Sequence, residues 1–189
     1  TLGILDRSGR FLVDVLARGR GGSANIPTYV VGFSNWKQYL RSYFPDRELN
    51  FLPKEIDQVT FSVEWERKVL ARKDSEFFVW GYKAPQYILD FAQRNNKKIS
   101  YVEDGFVRSV LLGASLSPAM SLTLDTKTPY FNAREPSELE DLLATYDFAS
   151  NPELIERAKL AIEEMIARGV SKYNKSATVN IENLYGAKD

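Results

Sequence analysis

The chain has 189 residues, 44% hydrophobic and 13% aromatic, with 25 basic side chains balanced by 25 acidic ones. These values suit one domain with a real core and give no case for a nucleic-acid partner or a strongly acidic surface. Cysteine and histidine are both absent, which excludes disulfides, thiolate nucleophiles and Ser-His-Asp or Cys-His catalysis, and leaves a metal only oxygen ligands.

Acid–base or nucleophilic chemistry therefore falls to Asp, Glu, Lys or Tyr. No apolar run is long enough to span a membrane, and no signal peptide is visible. Residues 1–25 read as a flexible lead-in, in which Phe11 to Leu16 suit a short strand or helical turn. Arg18-Gly-Arg-Gly-Gly-Ser-Ala-Asn25 lacks the lysine and spacing of a phosphate loop and reads as a connector. Thr28–Phe33 is short, apolar and β-branched, a strand pattern. Ser34 suits an N-cap for a helix through Phe44, with Trp36, Tyr39, Leu40, Tyr43 and Phe44 at helical spacing and Pro45 as the stop. Strand, tight loop and helix make the first half of a Rossmann-like unit, although the dinucleotide fingerprint is absent.

Phe51-Leu-Pro53 predicts a second strand. Val59, Phe61 and Val63 then alternate before residues 64–73 turn helical in composition. Phe77–Trp80 is a third strand closed by Gly81. Pro85 starts a helix through Arg94, with Tyr87, Ile88, Phe91 and Ala92 facing inward and Asn95-Asn96 at its end. Ile99–Val102 is the next strand. This alternation of strands and helices predicts an α/β fold, a parallel sheet with flanking helices.

Where that strand should end stand Glu103 and Asp104, then Gly105, which frees the backbone for a sharp turn, then Arg108. Ligands of open α/β sheets collect beyond the carboxyl ends of the strands. Two readings stand: a reaction centre of two carboxylates and an arginine, or an acidic cap paired with Arg108. Further on, Ser121–Leu124 predicts a strand ending at Asp125, and Tyr130-Phe131 a short extended piece. Ser137 and Glu140 have capping-box spacing. Asn151-Pro152 opens a long helix to Arg168 that Gly169 ends, and its stripe from Leu154 to Ile166 must pack on something. The Rossmann-like domain is thus expected over 26–169, with 170–189 as a connector or tail.

Several blocks, in order, resemble the KpsC (LipB) capsule polysaccharide proteins, a family of bacterial retaining β-Kdo glycosyltransferases. They are Val31-Gly-Phe-Ser-Asn-Trp-Lys37, Val79-Trp-Gly-Tyr-Lys-Ala-Pro-Gln86, Glu103-Asp-Gly-Phe-Val-Arg-Ser109, Pro118-Ala-Met-Ser-Leu-Thr-Leu-Asp125 with Pro136-Ser-Glu-Leu-Glu-Asp-Leu-Leu143, and Ser171-Lys-Tyr-Asn174. The resemblance covers residues 29–174. It implies one half of a GT-B-like glycosyltransferase, two Rossmann-like domains facing across a cleft. It further implies transfer of Kdo from CMP-Kdo to a lipid-linked glycan by double displacement through an aspartate, with no cofactor or metal. A location at the cytoplasmic face of the inner membrane and the C-terminal Rossmann-like domain as partner go with it. On this resemblance Asp104 is the nucleophile ahead of Glu103, the neighbouring carboxylate is the acid–base group, and Arg108 neutralises the Kdo carboxylate or steadies the acid pair. Lys83, Ser109, Asp125 and Lys172 are candidate substrate contacts.

The chain departs from the family pattern at Leu111, where glycine is usual, and over Asp125-Thr-Lys-Thr-Pro-Tyr-Phe-Asn132, where Asp-Asp-Arg-Gly-Ile-Tyr-Tyr-Asp is usual. The family's second domain, with its histidine- and proline-containing segment, lies beyond these residues, so the isolated chain is expected to be inactive. The alternative is a non-catalytic binding or scaffold module of capsule assembly with the same fold. A nucleotide-sugar enzyme of another kind, such as an epimerase, is disfavoured by the absent fingerprint.

Overall fold

Four parallel strands and one antiparallel edge strand form a single sheet in the order β2-β1-β3-β4-β5, in a computed structural model that describes residues 25–108 and 116–170. The strands are β1 (Ile26–Val31), β2 (Arg47–Phe51), β3 (Glu76–Trp80), β4 (Lys98–Asp104) and β5 (Leu122–Asp125). Every residue of β3 is buried, as expected of a central strand covered on both faces. Alternation along the strands divides the core in two. Tyr29, Val31, Phe77 and Val79 meet Phe61, Val69, Ile88 and Phe91 on one face. Val30, Phe78, Trp80 and Val102 meet Phe33, Leu40, Phe44 and Leu122 on the other.

The chain leaves β1 to form β2 on one side and returns to form β3 on the other, pairing β1 with both. The reversal makes β1 and β3 a topological switch point, where open α/β sheets part to leave a crevice. Glu76 is buried across this pairing; its carboxylate accepts from Arg47 Nε at 2.7 Å and Thr28 Oγ1 at 3.1 Å.

The α/β architecture is as expected, with four informative differences. The element after β1 is a 3₁₀ helix, Asn35–Tyr43, and Ser34 makes no side-chain cap bond there. The alternation at Val59, Phe61 and Val63 belongs to a helical segment over 58–70 with a π turn at Ser62–Glu66, in which Phe61 is buried and Val59 and Val63 are exposed. Tyr130-Phe131 forms a turn. β5 runs antiparallel to β4, and the segments flanking the turn are tied by the Gly105 N–Ser121 O and Met120 N–Arg108 O hydrogen bonds.

The Gln86–Arg94 helix ends as its asparagines predict. Asn96 takes φ 51°, and the Lys97 amide donates to Ala92 O at 2.8 Å. The capping box at Ser137 and Glu140 is complete. The long helix Pro152–Ala167 ends at Gly169 with φ 60°. Its apolar stripe, expected to be packed, is only partly covered: Leu154, Ala161 and Met165 are half-buried, Ile162 and Ile166 are exposed, and neither this helix nor Glu138–Thr145 has a fully buried residue. The lead-in motifs before residue 25 and the tail after 170 lie outside the described residues.

Candidate active site

Three strand ends, those of β1, β3 and β4, converge on a cleft of about 300 Å³. Glycine is required at the first two for specific reasons. Gly32 has φ +77° and a Cβ there would strike Lys83 Cβ; Gly81 has φ +49° and a Cβ would lie 2.5 Å from Glu103 Oε1. These glycines let Lys83 and Glu103 settle directly against backbone.

β4 delivers Glu103 and Asp104 to the cleft wall. Arg108 is 1% exposed and its Nε donates to Asp104 Oδ2 at 2.6 Å, while a second guanidinium nitrogen donates to Ser117 O at 2.9 Å. Asp104 Oδ1 is buried without a hydrogen-bond partner among the described residues. One carboxylate oxygen is thus clamped and the other is left with its lone pairs unused, an arrangement suited to bonding something in the cleft. Burial raises the carboxyl pKa of Glu103 above its ordinary value, and the neighbouring Asp104 charge adds to this against the Asp104 amide and Lys37. A clamped carboxylate beside one that holds its proton more firmly is the division of roles that acid–base chemistry needs.

Gly105 is needed here for space rather than for a left-handed turn. A Cβ would lie 2.8 Å from Ser121 Cβ, because the Gly105 amide donates to Ser121 O at 2.9 Å. Ser121 Oγ donates to Val107 O, and Met120 N donates to Arg108 O at 2.7 Å. The aromatic stripe of the 3₁₀ helix holds the same segment: Tyr43 OH donates to Ala119 O at 2.5 Å, and Ala119 N donates to Tyr39 OH at 2.9 Å.

Among the other candidates, Lys83 is exposed beside the cleft, within electrostatic range of Lys37 and Glu103. Asp125 is buried away from the cleft lining. Its Oδ1 accepts from the amides of Lys127 and Thr128 at 2.9 and 3.0 Å, and its Oδ2 from Leu139 N at 3.2 Å. Both oxygens thus serve the turn and the start of the next helix. Ser109, Leu111 and Lys172 lie outside the described residues. No cluster of three or more acidic side chains able to hold a metal ion occurs among the described residues, and no described helix is long and apolar enough to cross a membrane.

Sequence reasoning missed Lys37 and Trp80. Lys37 is 7% exposed and lines the cleft, its ammonium 2.6 Å from the centre of the Trp80 ring. Lys37 lies one 3₁₀ turn before buried Leu40 and shares its face, a position that a stripe read from aromatic and apolar residues alone passes over.

No family model matches the chain. It is 32% identical over 150 residues to the capsule polysaccharide modification protein LipA of Neisseria meningitidis serogroup A, which covers 77% of this chain and 20% of LipA. It is 37% identical over 108 residues to the lipopolysaccharide-processing protein LpsZ of Rhizobium meliloti, over 57% of this chain and 24% of LpsZ. The solved Thermosulfurimonas dismutans KpsC, a beta Kdo 2,4 transferase, superposes with TM-score 0.58 and 26% identity, over 85% of this chain and 45% of that one. The chain therefore spans about a fifth to a quarter of these curated relatives.

Proposed function

The chain belongs to the KpsC family, and we propose that it forms the carboxylate-bearing half of a retaining β-Kdo transferase in capsule polysaccharide biosynthesis. The donor in this reading is CMP-Kdo and the acceptor a lipid-linked glycan at the cytoplasmic face of the membrane. A second Rossmann-like domain, outside these residues, supplies the nucleotide site. No cofactor is required.

The observation that carries the reading is Asp104, with Oδ2 clamped by Arg108 and Oδ1 unpaired among the described residues, at the edge of the cleft. In the first step Asp104 Oδ1 bonds to the anomeric carbon as the bond to the CMP phosphate breaks, and the electron pair leaves with the phosphate. In the second the acceptor hydroxyl attacks that carbon, the Asp104 ester bond breaks, and Glu103 takes the hydroxyl proton. Two inversions give net retention. Arg108 holds the Asp104 carboxylate in position and stabilises it again as it leaves.

The test is Kdo transfer from CMP-Kdo to a synthetic lipid-linked acceptor. It compares this chain alone, the chain joined to a second domain, and Asp104→Ala in the joined form. Transfer by the joined form that Asp104→Ala abolishes is expected. Transfer that survives Asp104→Ala overturns the nucleophile, and a joined form that binds glycan without transfer points to the non-catalytic binding module.

A further inference from the structure

Lys37 is a buried cation that the chemistry above does not use. Its side chain is 7% exposed, and no hydrogen bond or ion pair holds its ammonium among the described residues. The nitrogen lies on the Trp80 ring, with the rings of Trp36 and Phe33 at 5.8 and 5.9 Å. An aromatic face gives only part of what water gives an ammonium, so burying the group is costly unless something else in the site repays it.

The charges around the cleft indicate what that is. Glu103 and Asp104 face Lys37 together with Lys83 and Arg108, which leaves one positive charge in excess when all five are ionised. Asp104 already has Arg108 at 2.6 Å. Arg108, 1% exposed, also serves Ser117 O. Lys37 lines the cleft from a different element, the helix after β1. Burial, offset in part by Asp104 and Glu103, draws the Lys37 pKa from 10.5 down to about 7. An anion entering the cleft would restore its full charge.

We propose that Lys37, seated on Trp80, is the group that receives the carboxylate of a sugar acid bound in this cleft. The inference rests on the transferase reading and deepens it by naming the specificity contact for an acidic sugar. It gives that contact to Lys37 and leaves Arg108 the other role the resemblance offered it, steadying the acid pair. Lys37 holds the sugar carboxylate while Asp104 Oδ1 faces the anomeric carbon to which that carboxylate is attached.

The test uses the whole 189-residue chain with two probes, the methyl β-glycoside of Kdo and its carboxamide. Binding is followed by nuclear magnetic resonance through the indole signals and ¹³C-labelled lysine. The acid should bind Lys37→Met about tenfold or more weakly than wild type, the worth of a charge-assisted hydrogen bond, while the carboxamide binds both alike. The Lys37 titration midpoint should rise on binding the acid and stay put with the carboxamide. Wild-type binding of the acid that Lys37→Met does not weaken, or equal weakening of acid and carboxamide, overturns the assignment and leaves the transferase reading standing. Wild type that binds neither probe overturns the assignment, and the transfer assay of the joined form then decides the transferase reading by itself.

Discussion

Replacing Gly105 with alanine tests how the loop after β4 is held. The backbone at this position is not left-handed, so the substitution adds a methyl group without demanding an unfavourable φ. That methyl would lie 2.8 Å from Ser121 Cβ and 3.0 Å from Ser121 C, inside the closest contact real carbons make. The two segments are tied by the Gly105–Ser121 and Met120–Arg108 backbone hydrogen bonds, so they cannot separate freely. Overpacking of this kind costs about 2 kcal/mol, equivalent to a fall in Tm of roughly 4–8 °C for a chain of this size. Urea and thermal unfolding followed by circular dichroism would measure it. Ser121→Gly alone should cost about 1 kcal/mol through its lost hydrogen bond to Val107 O. The double variant should be more stable than the sum of the two losses by about 1 kcal/mol. Gly105→Ala within about 0.5 kcal/mol of wild type, or strictly additive losses, would refute the steric reasoning.

Two further outcomes follow from the buried charges. Glu76→Gln removes the carboxylate between Arg47 and Thr28 and should cost about 3 kcal/mol in urea unfolding; a loss below about 1 kcal/mol would mean that Arg47 finds water instead. Lys37 binds a proton less tightly folded, near pH 7, than unfolded, near 10.5. Between those values the unfolded chain carries more protons, so this group makes stability rise with pH and its burden is full below pH 7. The stability of wild type minus that of Lys37→Met should therefore increase from pH 7 to pH 10, and a flat difference in paired urea melts would refute it.

The strands were legible where burial dictates composition. Phe77–Trp80 is apolar because both sheet faces are covered there, and Ile99–Val102 keeps β-favouring Ile, Tyr and Val with its buried positions alternating. β2 begins at Arg47, earlier than expected, because an edge strand tolerates Arg-Glu-Leu-Asn and loses the apolar signal. The direction of β5 left no trace, since alternation reads the same both ways. Glu103, Asp104 and Arg108 stood out because acids rarely follow a buried strand, and the structure brings them together at the cleft. Lys37 did not stand out, since a lysine beside an aromatic stripe reads as its solvated edge, whereas the folded helix buries it one turn from Leu40. Gly105 was singled out for backbone freedom; its constraint is the nearness of Ser121, a contact across 16 positions that no local pattern encodes.

The unburied helix Pro152–Ala167 divides the protein into two levels of protection. A helix of 16 residues with a proline start, a glycine stop and solvent-exposed ion pairs at Glu156–Lys159 and Glu164–Arg168 is marginal on its own in water. No residue of the helix is fully buried among the described residues, so its backbone amides are expected to exchange with solvent through local opening ahead of those of β1, β3 and β4. Melting this helix would leave the cleft and its carboxylates in place.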